Sequence, residues 1–169
     1  MSMAHSIETH LGRAGIEFNL ISHPHSSNSL QTARFAHVPA QQVAKAVMTH
    51  DGDTYRLCLI PSTNRLVLPW LNEHMHGHYR LVVEQELAGL FADCEMGAVP
   101  ALGQVYGFPV IWDSAFSDMN EIFFEGGDHE HLVRVDKGAF MQLMAGQEQD
   151  RISCANNEYE YEFREEIIH

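Results

Sequence analysis

Basic residues are scarce in this chain. Lysine and arginine number 10 against 23 aspartates and glutamates, a formal net charge of −13. Gripping a duplex through its phosphates takes a broad face of Lys and Arg, so DNA is not an expected partner. The scarcity still leaves room for a small pocket that recognises one nucleic-acid end. Cysteine is also sparse: Cys58, Cys94 and Cys154 are odd in number and far apart. That argues against a disulfide framework and fits a reducing compartment. Cys58, in a strand-like run, reads as a small buried hydrophobe. Apolar runs are short and broken by Pro or Gly, so no membrane-spanning helix is expected. Met1, Ser2, Met3, Ala4 and His5 lack a basic stretch followed by an apolar core. No secretion signal is read, and the expected location is cytoplasmic. No serine or cysteine is set with a histidine and a carboxylate in a recognisable nucleophile motif.

What is present suffices for one core: 169 residues, 45% of them hydrophobic and 20% charged, with no internal repeat or dividing linker. The pattern predicts a helix over residues 2–13 capped by Ser2 and a strand over 18–21. A helix capped by Ser29 runs to Phe35, and another starts at Pro39 and reaches about Ala44. Residues 45–50 and 55–60 are strands around an Asp51–Gly52–Asp53 hairpin turn. A loop over 61–65, a helix over 67–75, a strand over 79–83 and a helix over 84–91 follow. Strands over 110–112, 121–125 and 132–135 and an amphipathic helix over 137–144 complete the reading. The fold class is mixed α/β, with six to seven strands and surrounding helices over residues 1–145. Residues 146–169, rich in Gln, Glu, Asn and Tyr, read as an acidic C-terminal extension, with strand-like alternation at Tyr159, Tyr161 and Phe163.

Three stretches draw attention as chemistry. Gly97, Ala98, Val99 and Pro100 open an irregular loop that runs past Gly107 and Pro109 into the apolar strand at Val110. Such a loop lets a ligand approach bare backbone held by a rigid sheet. Lys45 stands alone in an apolar strand, where the plain alternative is an edge-strand lysine that discourages aggregation. Gly126 and Gly127 precede His129 and His131; a simple hairpin turn serves equally well there, and His131 reads as part of a solvated loop. Asp113 and Ser114, just after the core strand, are secondary pocket candidates. His23 and His25 flank a proline in a loop that either borders the pocket or lies on the surface. His74, His76 and His78 alternate and can bind zinc or nickel if held on a strand, but an exposed loop without support is favoured.

Taken in order, these features resemble the YbaK family, whose fold is shared by the editing domain of bacterial prolyl-tRNA synthetases. The resemblance runs from about Ile7 to Met144. It rests on His23–Pro24, on Lys45 within Val43–Ala44–Lys45–Ala46–Val47, and on Gly97 to Pro100. The Val110–Asp113 strand and Ile122–Phe123–Phe124–Glu125–Gly126–Gly127, followed by Val133–Arg134–Val135, complete it. It implies a compact barrel-like α/β domain that hydrolyses the ester between a wrong amino acid and its tRNA, without metal or organic cofactor. By the same resemblance, Lys45 lies near the terminal adenosine. Gly97, Ala98, Val99 and Pro100 line the aminoacyl pocket, and Gly126, Gly127 and His129 close it. Ala46 stands where some branches carry Asn, which leaves Ala, Ser, Cys and Pro open as the amino acid removed.

The implied chemistry needs donors for a developing oxyanion, and backbone N–H groups around Gly97–Ala98 or Gly126–Gly127 are the candidates. With no base in view, the substrate's own ribose hydroxyl is expected to activate water. The expected partner is the 3′ end of an aminoacyl-tRNA, with an aminoacyl-tRNA synthetase as a further candidate. Two other readings stay open: a non-catalytic domain of the same fold that binds an aminoacyl or nucleotide-like ligand or a partner protein, and a metal-binding protein built on the histidine-rich loop.

Overall fold

The structure, a computed structural model, describes residues 2–156. In chain order it contains α1 (His5–Arg13), β1 (Asn19–Ser22), α2 (Ser29–Ala36), β2 (Val43–His50), β3 (Tyr55–Pro61), β4 (Asn64–Leu66) and α3 (Leu68–Met75). There follow β5 (Arg80–Leu81), α4 (Glu84–Leu87), β6 (Val110–Asp113), β7 (Glu121–Glu125), β8 (His131–Asp136), α5 (Lys137–Leu143), β9 (Glu148–Asp150) and β10 (Ser153–Ala155). Eight strands form one mixed sheet in the order β1-β8-β7-β2-β3-β6-β9, with β5 on the far end of β2; β4 and β10 pair separately.

The β2–β3 hairpin is the hub. Its turn closes because Asp51 Oδ1 accepts the backbone N–H of Asp53 at 2.9 Å and of Thr54 at 2.8 Å, while Gly52 takes φ +103°. The hairpin pairs Lys45 with Ile60 and Val47 with Cys58. Parallel neighbours flank it, with β7 beside the start of β2 and β6 beside β3.

Alternation along β2 sorts its residues onto two faces. Ala44 and Met48 join Leu57, Leu59, Val110, Trp112, Phe124 and Val133 in the main core, against Ile7 and Leu11 of α1 and Phe140 of α5. On the opposite face Val47, Cys58, Ile60 and Ile111 pack on Leu68 and Leu71 of α3. Val43, Phe123 and Leu132 on that face pack on Ala33 of α2. Lys45 falls between Val43 and Val47, in the seam between the patches covered by α2 and α3.

Several local readings change. The first helix starts at His5 with Ala4 at its cap and no side-chain capping bond. Ser2 does not cap it, because the Ala4 N–H is drawn to the Gly126 carbonyl at 2.7 Å. Asn28, not Ser29, caps α2, accepting the Gln31 N–H at 2.9 Å. After Pro39 there is only a 3-10 turn, Ala40–Gln42, because pairing of Val43 and Ala44 with β7 claims the chain for the sheet. α4 is a single turn, ending before Gly89 at φ +89°.

Strands exceed the expected six to seven because three short ones lie where no strand was read. β4 falls partly in the expected loop over 61–65. β9 and β10 fall in the expected extension, where β9 pairs parallel with β6 and β10 antiparallel with β4. Asp113 secures this closure: its Oδ2 accepts the Ile152 N–H at 3.1 Å and the Ser153 hydroxyl at 2.7 Å. Tyr159, Tyr161 and Phe163 lie outside the described residues.

Candidate functional site

A cavity of about 370 Å³ opens over the Lys45 seam. Its walls are residues 27–30 and Thr32 around the start of α2, residues 43–46 of β2, Ser62, Gly97, Val99, Glu125, His129 and Leu132. Lys45 is half-buried, and its Nζ donates to the Asn64 carbonyl at 3.2 Å. Burial pushes its pKa down, and the Arg65 guanidinium adds to that. Among the described residues no ion pair includes Lys45. A desolvated cation facing a cavity without a counter-ion favours an anionic or electron-rich ligand. The start of α2 adds the positive end of a short helix to the same cavity.

Gly97 and Val99 line the cavity, whereas Ala98 and Pro100 are buried outside its lining. Gly97 sits at φ +81°. Of the four donors expected to meet an oxyanion, three are engaged: Ala98 N–H on the Glu95 carbonyl, Gly126 N–H on the His131 carbonyl and Gly127 N–H on Glu125. The N–H groups of Gly97 and Val99 have no hydrogen-bond partner among the described residues, so the free donors belong to the residues that face the cavity.

Gly126 and Gly127 are buried and outside the lining; packing explains them. A Cβ on Gly126 would lie 2.9 Å from the His131 carbonyl oxygen, and one on Gly127, at φ +109°, 2.9 Å from the Ala4 Cβ. They shape the turn that presents His129, which does line the cavity at φ +63°. Glu125 organises that turn. Its Oε1 accepts the backbone N–H groups of Gly127 at 3.0 Å, Asp128 at 3.2 Å and His129 at 3.0 Å. The His129 Nε2 lies 2.7 Å from the Met96 carbonyl, which joins the turn to the glycine loop. Asp128 is buried and bonded to the His131 ring and to the N–H groups of Glu130 and His131. Its burial acts to raise the carboxyl pKa, but these bonds outweigh it and hold the carboxyl below its ordinary value. His131 is thus a partner of Asp128 and not merely part of a solvated loop.

Other candidates fall elsewhere. Ser114 begins a 3-10 turn after β6, outside the lining, and its carbonyl accepts the Ser117 hydroxyl at 2.6 Å. His74 is held between two carboxylates, Nε2 to Glu148 at 3.1 Å and Nδ1 to Asp150 at 2.7 Å, which docks α3 on β9. His76 is the left-handed cap of α3. Burial pushes Cys58 up to about 12 and Cys94 up to about 11, so neither is poised as a thiolate. Among the described residues, His25, Glu95 and His129 form a three-membered group with metal-ligand spacing.

Sequence reasoning missed Glu125, Asp128, Ser62 and the residues starting α2. Asn28, a strong helix-capping type beside the His23–Pro24 loop, was the available signal for the last of these. Nothing local marked Glu125, which reads as an ordinary strand end.

The molecule is thus a mixed sheet with helices on both faces and a lysine-bearing cavity at the hub hairpin. The profile of the aminoacyl-tRNA editing domain matches residues 23–143. The chain belongs to that family, as the resemblance to YbaK proteins implied. No curated protein matches it. Among solved structures, the hypothetical protein APE2540 superposes with a TM-score of 0.79 at 16% identity, covering 89% of this chain and 100% of that one. A proposed trans-editing enzyme for prolyl tRNA synthetase gives 0.76 at 20% identity over 89% and 96%. A proposed signal transduction protein from Marinobacter aquaeolei VT8 gives 0.71 at 17% identity, covering 88% of this chain but 30% of its own. At these identities the likeness carries the fold. No helix among the described residues is long and apolar enough to cross a membrane.

Proposed function

We propose that this chain is a freestanding aminoacyl-tRNA deacylase that hydrolyses the ester of mischarged tRNA in trans. One observation carries the reading: Lys45, half-buried and without a counter-ion among the described residues, faces a cavity in a chain of the aminoacyl-tRNA editing family. In this reading the Lys45 ammonium and the start of α2 hold the terminal phosphate or adenosine of the tRNA, which orients the ester. The free N–H groups of Gly97 and Val99 receive the negative charge that builds on the carbonyl oxygen. Losing one such donor typically costs about two to three orders of magnitude in rate. His129 and Glu125 shape the far wall.

Lys45 carries the catalytic role by binding and orienting substrate rather than by moving a proton. The vicinal ribose hydroxyl of the substrate activates the attacking water. Only the 3′ end of the tRNA enters, which accommodates the charge of −13. The setting is the cytoplasm, and an aminoacyl-tRNA synthetase is the candidate partner that would bring the acidic chain to its RNA.

The test is deacylation of tRNAs mischarged with Ala, Ser, Cys or Pro. Hydrolysis of at least one above the buffer rate is expected, falling about a hundredfold or more in Lys45→Ala. Substrate without the neighbouring ribose hydroxyl should react far more slowly. The charge of −13 favours one other reading, a non-catalytic binder of an aminoacyl or nucleotide-like ligand. Saturable binding without hydrolysis of any tRNA would establish that reading instead.

A further inference from the structure

We propose that His25, Glu95 and His129 form a binding site for a divalent transition metal, zinc being the best fit, at the rim of the Lys45 cavity. One ligand-capable atom from each of the three lies within 4.8 Å of the others. His25 Nε2 and Glu95 Oε2 are 3.8 Å apart, and the His25 and His129 rings stand 5.0 Å apart and tilted. Tetrahedral zinc with bonds of about 2.0–2.2 Å to imidazole and carboxylate needs ligand atoms roughly 3.3 Å apart. Closing the difference, up to about 1.5 Å, takes swings of the His25 and Glu95 side chains, which are 61% and 35% exposed.

The three residues come from separate segments that the backbone already holds together. The Ser26 N–H donates to the His129 carbonyl at 3.1 Å, and the His23 N–H to the Glu130 carbonyl at 3.0 Å. The Glu95 N–H donates to the Gly127 carbonyl at 2.8 Å. Glu125 fixes the turn beneath His129, and the Met96 carbonyl, 2.7 Å from its Nε2, orients the ring. A backbone carbonyl on a liganding imidazole is the kind of support that tunes metal sites. Two imidazoles and one carboxylate suit zinc, cobalt or nickel and leave a fourth position for water or for a donor atom of whatever occupies the cavity. His74, by contrast, has both ring nitrogens committed to carboxylates.

Metal alone is the probe, so the outcome is independent of any reaction in the cavity. Untagged protein is titrated with Zn²⁺ by calorimetry and with Co²⁺ by visible absorption. One equivalent per chain is expected, with a raised melting temperature and the d–d bands of a low-coordinate cobalt site. His25→Ala and Glu95→Gln, both surface changes, should each weaken zinc at least about tenfold while leaving the metal-free melting temperature unchanged. A chain carrying His74→Ala, His76→Ala and His78→Ala together should bind as the parent does. The proposal is overturned by the absence of saturable binding, by unchanged affinity in His25→Ala and Glu95→Gln, or by loss of binding in the triple variant.

Discussion

Glu125 and His129 are joined by a hydrogen bond in which one carboxylate oxygen of Glu125 accepts the backbone N–H of His129 at 3.0 Å. The same oxygen takes the N–H groups of Gly127 and Asp128, so one side chain holds a whole turn in a conformation that places His129 at φ +63°. Glu125→Ala strands three donors, two of them on buried residues, Gly127 and Asp128. The expected cost is about 2–4 kcal/mol, read as a shift in the urea midpoint. Glu125→Gln keeps an acceptor and should cost less. A loss below about 0.5 kcal/mol in the alanine variant would show that the turn does not depend on this carboxylate.

Asp128 ties stability to pH. Its carboxyl, bonded to His131 and to two backbone N–H groups, titrates below its unfolded value of 3.8. The native state therefore binds this proton less tightly than the unfolded chain. The stabilisation is complete above pH 3.8 and drains away as pH falls through the lower folded value. Asp128→Asn should destabilise by about 1–3 kcal/mol at pH 7, and its melting temperature should converge on that of the parent toward pH 3. A gap that stays constant down to pH 3 would refute the assignment.

Lys45 carries the opposite burden. An unfolded lysine titrates near 10.5, and burial with Arg65 nearby lowers Lys45 below that. Keeping it charged therefore costs stability at neutral pH, and the cost fades as pH rises through the folded value toward 10.5. Lys45→Met should raise stability by about 1 kcal/mol at pH 7, even after losing the bond to the Asn64 carbonyl, while abolishing deacylation. Melting curves at pH 7 and pH 10 check this: the gain should shrink at the higher pH, and a less stable variant would mean that Lys45 serves the fold.

Local chemistry was legible wherever it is decided by neighbours in the chain. The Asp51–Gly52–Asp53 turn, the strands around it and the helix before Met75 follow from turn residues and hydrophobic period, and the structure keeps them. Val43 and Ala44 went the other way because strand pairing with Phe123 and Phe124 overrode the proline signal. β9 and β10 were invisible for the same reason: Glu148–Asp150 and Ser153–Ala155 are polar or too short to announce a strand. They become strands only because β6 and β4 present open edges and Asp113 clamps the chain between them.

The candidate site divides along the same line. The sequence by itself determined that Lys45 is an isolated cation in an apolar strand, that Gly97 begins a loop and that the order of motifs is that of the editing family. Those properties reside in residue type and spacing. Only the tertiary structure decided that Lys45 lies in the seam between α2 and α3, without a counter-ion among the described residues. It alone showed that Gly97 and Val99 face the cavity while Gly126 and Gly127 are packed in the turn before His129, outside the lining. It alone brought His25, Glu95 and His129 together. Burial, charge partnership and convergence of side chains depend on residues far apart in the chain, and a linear pattern holds no measure of those distances.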